Sequence, residues 1–343
     1  MSLEDLEMER SYMRRTELRF EKLPWGNLSW TSVPRLAVIA VLLTGCLSVR
    51  SAAQQPGQKT FSSPEDASNA LFMAIQGNDE KAMLDILGPD GKQIVSSGDA
   101  AEDSETRAKL AQKYQELHRL LTEPDGTVTV YIGAENWPTP IPLVKKGSLW
   151  YFDTDAGKKE ILYRRIGRNE MSTIVVCRQL VAAEKEYYAS QNNEYAQKIL
   201  SDEGQHNGLY WVAADGEPKS PIGPLVASAV ADSAAKTQNS APIPFRGYYY
   251  HILTRQGKNG PGGAKNYIVN GKITGFAFVA YPAEYRSSGV MTFVVNQDGA
   301  VYEKDLGKKT EARAKSMKEY NPDSNWHKVE EMQGDTADDQ EAK

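Results

Sequence analysis

The sequence is poor in cysteine, histidine and clustered positive charge, and each shortage excludes a class of protein. Only two cysteines occur in 343 residues. Cys46 lies in an apolar N-terminal segment, so Cys177 is alone in the rest of the chain, and an intramolecular disulfide there is excluded. The net charge is −5 at pH 7, and no long basic run follows the N-terminal segment, which argues against a nucleic-acid partner.

Motifs that would specify a reaction, a metal or a cofactor are missing as well. The four histidines have no second His, Cys or acid at a spacing typical of metal ligands, and neither GxSxG nor HExxH occurs. The glycine-rich stretch 255–263 matches neither phosphate-binding spacing, which favours a flexible connection between two strands. We therefore predict no metal and no cofactor, and we expect a non-catalytic protein rather than an enzyme.

Residues 36–47 form an apolar run that is too short to span a bilayer as a helix, which needs about 20 residues. Such a run is typical of the apolar core of a signal peptide, and Arg35 stands before it. The acidic residues 1–12 suit no leader, so we expect the start at Met13, where a basic segment begins. These features predict a targeting segment over residues 1–53 and an extracytoplasmic protein, in the periplasm or anchored to a membrane.

Two processing routes are open for this segment. Leu43-Thr44-Gly45-Cys46 matches the bacterial lipobox, which would place a lipid on Cys46 and tether the protein to a membrane. Ser51-Ala52-Ala53 instead matches the small-x-small rule for ordinary cleavage, which would leave a secreted soluble protein. The lipobox is the sharper pattern because it requires a cysteine at the end of the apolar run.

Changes in composition and periodicity divide the remaining chain and predict an α+β fold. The helix-rich N-terminal part carries a β-hairpin, and a long helix then packs on a C-terminal antiparallel sheet. The predicted segments are a tether at 54–60, an N-terminal α+β part at 61–154, the long helix and connecting helices at 155–240, the sheet part at 241–329, and a disordered acidic tail at 330–343.

Individual elements follow from capping residues and hydrophobic spacing. Ser63-Pro64-Glu65-Asp66 predicts a helix start, and apolar residues at helical spacing predict a third helix over 104–121. Residues 141–152 predict a hairpin, 155–200 one long helix or two, 221–235 a small helix, and 310–320 a closing helix. Strands are predicted at 248–254, 273–281, 290–295 and 300–304. Both faces of these strands are apolar, so we expect the long helix to cover the sheet.

Aromatic side chains crowd the predicted C-terminal sheet and suggest a contact surface for an unknown protein or glycan partner. The candidate contacts are Tyr249, His251, Tyr281, Tyr285 and Arg246. Filling a core that has two apolar faces explains most of these tyrosines equally well. The alternative function is a secreted hydrolase whose site folding assembles from dispersed residues, with His251, Arg246 and Glu284 as first suspects. Cys177 is expected to be an inert core thiol.

Several short sequence motifs occur along the chain in one order. They are Phe61-Ser62-Ser63-Pro64, Arg165-Ile166-Gly167-Arg168-Asn169-Glu170, Gly247-Tyr248-Tyr249-Tyr250, Gln256-Gly257, Pro261-Gly262-Gly263-Ala264, Tyr281-Pro282, Ser288-Gly289-Val290-Met291-Thr292-Phe293 and Lys304-Asp305-Leu306-Gly307. Together they resemble the bacterial domain-of-unknown-function 2950 family over about residues 60–330. The resemblance implies an exported bacterial protein of no assigned activity, and it transfers no catalytic residue.

Overall fold

The computed structural model describes residues 54–96, 100–190, 193–196, 198–213, 218–228 and 243–330. The predicted targeting segment with Cys46 and the acidic tail beyond Glu330 lie outside the described residues. Within them, no helix combines the length and apolar character needed to cross a membrane. The chain divides between Arg164 and Arg165 into two compact units, here called the N-terminal and C-terminal units.

Four helices open the N-terminal unit: α1 (Pro64–Gln76), α2 (Glu80–Leu87), the single turn α3 (Lys92–Val95) and α4 (Ala100–Glu116). The predicted start of α1 is confirmed, because the Ser63 side chain accepts a hydrogen bond from the Asp66 amide and Pro64 takes the first helical position. Asp79 caps α2 in the same way through the amide of Ala82. Short polar caps therefore fix where both helices begin.

The helices of this unit share one core with an antiparallel sheet of five strands. The strands are β1 (His118–Thr122), β2 (Val128–Ile132), β3 (Trp137–Pro138), β4 (Leu143–Lys146) and β5 (Leu149–Phe152). They run in the order β1-β2-β4-β5, with β3 paired to β2. The β4–β5 hairpin confirms the prediction for 141–152. The third predicted helix is wrong after Glu116, because residues 118–122 pair with β2 instead.

Residues 54–60, predicted as a tether, make specific contacts with the N-terminal unit. Gln58 is 5% exposed, and its amide donates to the carbonyl oxygens of Ile86 and Phe152 at 3.1 and 2.8 Å. Phe61 then forms a bridge with Trp150 on β5. The last residues of the expected tether are thus held by buried hydrogen bonds and do not act as a free linker.

The long helix α5 (Thr154–Ser190) is a single helix of 37 residues. It continues through Gly167 and ends ten residues before the predicted limit of 200. Two short parallel strands, β6 (Lys198–Leu200) and β7 (Gly208–Tyr210), follow it, and then α6 (Pro224–Ser228). The rest of the helix predicted at 221–235 lies outside the described residues.

The main sheet of the C-terminal unit confirms the four predicted strands to within a few residues. It contains β8 (Tyr248–Leu253), β13 (Ala277–Pro282), β14 (Met291–Asn296), β15 (Val301–Asp305) and β17 (His327–Lys328), all antiparallel, in the order β17-β15-β14-β13-β8. Five two-residue strands lie outside it: β9 (Arg255–Gln256), β10 (Lys265–Asn266), β11 (Ile268–Val269), β12 (Lys272–Ile273) and β16 (Glu319–Tyr320).

Both faces of this sheet are buried, and different elements cover them. On one face Val176, Leu180 and Val181 of α5 pack with strand residues such as Tyr250 and Phe293. On the opposite face, the short helix α7 (Thr310–Ser316) and β16 cover Val279, Tyr281 and Val294 through Ala314 and Tyr320. The closing helix is therefore shorter than the predicted 310–320. The α+β architecture with a long helix packed on a C-terminal antiparallel sheet is confirmed.

Candidate functional site

Three of the proposed contact residues lie on the sheet face opposite α5. Tyr249 pairs with Tyr281 across β8 and β13, and His251 pairs with Val279. Tyr281 is completely buried, and His251 is 6% exposed with Nε2 lying 3.3 Å from the carbonyl oxygen of Met317. In the tautomer protonated at Nε2, His251 donates to that carbonyl. Tyr281 is thus a core residue, and His251 supports the segment that leads from α7 to β16.

The other two proposed contacts, Arg246 and Tyr285, lie in turns at one end of the sheet. Ala283 donates its amide to the Gly247 carbonyl, which brings the two turns together. The Tyr285 hydroxyl donates to Asp305 Oδ2 at 3.0 Å, and the guanidinium of Arg246 lies over the Phe245 ring. A ligand contact through any of these five residues stays a prediction.

The suspected hydrolytic residues are far apart along the sheet. Arg246 and Glu284 occupy the turns at one end, whereas His251 is the fourth residue of β8. Three strand steps from Tyr248 to His251 cover about 10 Å at a rise of 3.3 Å per residue. The three suspects therefore start from separate backbone positions, and a hydrolytic site assembled from them stays an alternative hypothesis.

A different site lies on the same covered face, where an open cleft of about 370 Å³ borders β9 and β16. We call it the Trp326 cleft. Its lining residues are Arg255, Val294, Ser316, Met317, Lys318, Glu319, Asn321 and Trp326. Val294, on the central strand β14, is 1% exposed and forms the apolar floor, while the charged and amide groups come from the surrounding segments.

Parallel pairing of β9 and β16 positions one wall of this cleft. Arg255 lies opposite Glu319 in the register, and Arg255 Nε is 3.5 Å from Glu319 Oε1. Both side chains are about half exposed, so this pair contributes little to stability, within about 1 kcal/mol. Lys318 is also exposed. The wall therefore presents two cations and one carboxylate to solvent.

A glycine-rich loop fixes the position of Asn321 in the cleft. Asn321 Oδ1 accepts a hydrogen bond from the Asn259 amide at 2.9 Å. A Cβ at Gly257 would lie 2.3 Å from Asn321 Cγ, so only glycine allows this close approach. The buried Gln256 side chain holds the loop from beneath by donating to the carbonyls of Pro261 and Gly263. The glycine-rich stretch thus connects two strands, as predicted, but side-chain hydrogen bonds hold it in place, which the predicted flexible connection did not include.

Trp326 forms the aromatic part of the cleft and is half-buried against the sheet. The Lys304 ammonium lies 5.7 Å from its ring centroid and also 3.6 Å from Asp323 Oδ1. The Trp326 amide donates to the Asp323 carbonyl, which closes a turn before β17. These contacts hold the indole in place beside the cleft, which Trp326 also lines.

The motif containing Asn169 and Glu170 on α5 clamps the loop that precedes β14. Glu170 Oε1 accepts hydrogen bonds from the amides of Val290 and Met291 at 2.8 and 3.0 Å. Asn169 Nδ2 donates to the Ser288 carbonyl at 2.8 Å. A Cβ at Gly289 would lie 2.1 Å from the Tyr248 hydroxyl oxygen. This part of the motif set therefore has a structural role in the C-terminal unit.

Two buried titratable groups lie under the opposite face of the sheet. Cys177 is completely buried, and burial raises the pKa of its thiol to about 12, which makes it an inert core residue as expected. Glu184 is also completely buried, and desolvation raises the pKa of its carboxyl to about 8. Among the residues that the structure describes, no group of His, Cys, Asp and Glu could hold a metal ion.

Sequence reasoning missed the Trp326 cleft because its residues come from four separate segments. Arg255 precedes the glycine-rich loop, Val294 lies in a strand, and Trp326 lies in the final turn. None of these segments carries a motif of its own. The one available signal was a tryptophan beside polar and charged residues near the end of the chain, at Asn325-Trp326-His327-Lys328.

Comparison with known proteins yields a family and no characterised relative. The sequence model of the family described as "Protein of unknown function (DUF2950)" matches residues 58–329. No curated protein matches the chain. No solved structure matches it either. The matched region includes the C-terminal sheet and every residue of the Trp326 cleft.

Proposed function

The chain belongs to the DUF2950 family, whose description assigns no activity, and we propose that it is an exported, non-catalytic envelope protein that binds a ligand in the Trp326 cleft. Export is supported by the apolar run at 36–47, the basic residues before it and the small residues after it. The cleft supports binding because it joins an apolar floor to a few polar groups, which is the usual composition of ligand sites.

The observation that carries the binding proposal is the convergence of Trp326, Asn321, Arg255 and Lys318 around one concavity. Tryptophan and arginine, together with tyrosine, are enriched at energetically important contacts. Of the tyrosines suggested by the sequence, Tyr281 is less suited to this role, since it is completely buried.

The proposal is tested by applying the mature full-length protein to arrays of glycans and peptides from bacterial envelopes. We expect saturable binding to one compound class, and we expect Trp326→Ala to remove it, because this change deletes the aromatic side chain of the cleft. Tyr131→Ala on β2 is the matched control, since it deletes a partly exposed aromatic ring of the N-terminal unit. Binding that survives Trp326→Ala, or turnover of an array compound, would contradict the proposal.

A further inference from the structure

The floor and one wall of the Trp326 cleft suit the ring of a sugar. Val294 and Met317 provide apolar surface beneath, and the half-buried Trp326 provides an aromatic wall. A pyranose ring has apolar C–H groups on its faces and hydroxyl groups around its edge. Its faces can pack on indole while its edge takes hydrogen bonds from neighbouring polar groups.

Hydrogen-bond donors are in excess at the edge of the cleft. Because Asn321 Oδ1 is engaged by the Asn259 amide, the orientation of the side-chain amide is fixed and Nδ2 is directed elsewhere. No residue within the described part of the chain accepts a hydrogen bond from Asn321 Nδ2 or from Trp326 Nε1. An acceptor-rich ligand would satisfy both groups.

The charge of the cleft has the opposite sign to the charge of the whole protein. The lining of the cleft contains two cations, Arg255 and Lys318, and one carboxylate, Glu319, in a chain of net charge −5. The 3.5 Å approach of Arg255 Nε to Glu319 engages one edge of the guanidinium and leaves further N–H groups. A guanidinium fork is well suited to a carboxylate, and Lys318 supplies a second cation to the lining of the same cleft.

A peptide fits the same surface less well than a saccharide. An extended peptide gains affinity mainly by pairing its backbone with a free strand edge. The strand bordering the cleft, β16, has only two residues, and one of its edges is already paired with β9. It can therefore offer few backbone hydrogen bonds to a further strand.

We infer that the Trp326 cleft binds a saccharide that bears a carboxylate, with the sugar ring against Trp326 and the carboxylate between Arg255 and Lys318. Asn321 Nδ2 donates to a ring hydroxyl or to the same carboxylate. This inference rests on the proposed binding function and names the chemical class of its ligand.

The test is isothermal titration of the mature protein with three probes: a trisaccharide of galacturonic acid, neutral chitotriose, and the acidic peptide Gly-Gly-Glu. We expect the acidic trisaccharide to bind about tenfold or more tightly than either other probe, a difference of about 1.4 kcal/mol. Added salt should weaken this binding, because the contributing charges are exposed.

Matched variants assign that binding to the cleft. Lys318→Gln should weaken the acidic trisaccharide about threefold to tenfold, as expected for a charge-assisted contact at the surface. Asn321→Asp keeps the acceptor for the Asn259 amide and replaces the donor with a negative charge, so it should weaken binding further. Lys145→Gln is the control, because Lys145 is an exposed lysine over Trp150 in the N-terminal unit. Unchanged thermal midpoints show that the variants are folded.

The outcomes separate this inference from the proposal on which it rests. If chitotriose or the peptide binds as tightly and Lys318→Gln has no effect, the carboxylate-saccharide assignment is overturned while binding in the cleft stands. If no probe binds and the array signals are insensitive to Trp326→Ala, both are overturned. If the acidic trisaccharide binds in a salt-sensitive way, and Lys318→Gln and Asn321→Asp each weaken that binding, the result supports the proposed function and this inference together.

Discussion

Glu184 is the residue whose ionisation has the clearest consequence for stability. Its Oε2 accepts a hydrogen bond from the Ala196 amide at 2.9 Å, and its Oε1 has no partner among the described residues. Desolvation raises the pKa of this carboxyl from its ordinary value of 4.5 to about 8, while the Ala196 hydrogen bond opposes the rise. Near neutral pH, Glu184 is therefore protonated in the folded protein and ionised in the unfolded chain.

This difference predicts a stability that falls as pH rises. Between about pH 4.5 and pH 8 the folded state binds one more proton than the unfolded state, so each pH unit lowers the free energy of unfolding by up to about 1.4 kcal/mol. Glu184→Gln cannot ionise, so its stability relative to wild type should increase through that window and level off above pH 8. Urea unfolding at several pH values measures the difference.

Glu186→Gln is the control for this measurement, because Glu186 lies on the same helix and is exposed. Its stability relative to wild type should stay constant over the same pH range. If Glu184→Gln behaves like Glu186→Gln, then Glu184 is ionised in the folded protein and the account of its burial is wrong.

The tyrosines show where inference from single residues succeeds and where it stops. The sequence offered both a binding surface and a core with two apolar faces. The structure places Tyr248 and Tyr250 under α5 and Tyr281 on the other face, all completely buried. The Tyr248 hydroxyl donates to the Met291 carbonyl, so this polar end is satisfied inside the core. Residue type alone could not show whether a tyrosine lies on a binding surface or in the core, because its burial depends on neighbours from other strands.

At the scale of elements, local signals fixed beginnings better than ends. The Ser63 cap located the start of α1, whereas helical spacing of Leu117, Leu120 and Leu121 wrongly extended α4. Leu120 and Leu121 instead belong to β1, where Leu120 pairs with Val130 and Leu121 with Thr129, and Leu117 lies between α4 and β1. Pairing with a strand formed later in the chain outweighed the local pattern, since propensity is a weak signal beside tertiary contacts.

The contact between α5 and the loop before β14 predicts a localised loss of stability. Glu170 is 3% exposed, and its Oε1 serves two backbone amides. Glu170→Ala leaves both amides without this acceptor, which should lower the free energy of unfolding by about 2 kcal/mol or more. Urea unfolding measures the loss, and faster amide exchange in residues 285–291 locates it.

Two further variants serve as comparisons for the loss of stability in Glu170→Ala. Glu170→Gln retains a single carbonyl oxygen that can accept from both amides, so it should lose less stability than Glu170→Ala. Glu186→Ala, on the exposed side of the same helix, should change stability by less than about 0.5 kcal/mol. Equal losses in Glu170→Ala and Glu186→Ala, with no change in exchange at 285–291, would show that the clamp is unimportant.

At the scale of the whole molecule, composition and periodicity predicted the α+β architecture and motif order predicted the family, but neither located the cleft. The sheet was predictable because its strands are apolar on both faces over consecutive segments. The Trp326 cleft depends on β9 pairing with β16, which are separated by more than sixty residues and are two residues long. Pairings this short and distant leave no periodic signal in a single sequence.

Export is a property of the whole chain and can be tested through Cys46. If the segment that ends at Gly45 is removed as a lipoprotein leader, the bacterial cell should hold the wild-type protein in its membrane fraction, with a mass that includes a lipid on Cys46. Cys46→Ser should then abolish the lipid and the membrane association, because the modification requires the thiol.

Cleavage after Ala53 predicts instead a soluble exported protein that begins at Gln54 and is unaffected by Cys46→Ser. Ser48→Ala, which alters a neighbouring residue without removing the thiol, should match wild type in both cases. A full-length, unmodified protein in the cytoplasmic fraction would contradict both routes, because both remove the apolar run at 36–47. An apolar run that stays in a cytoplasmic protein must instead be buried within it.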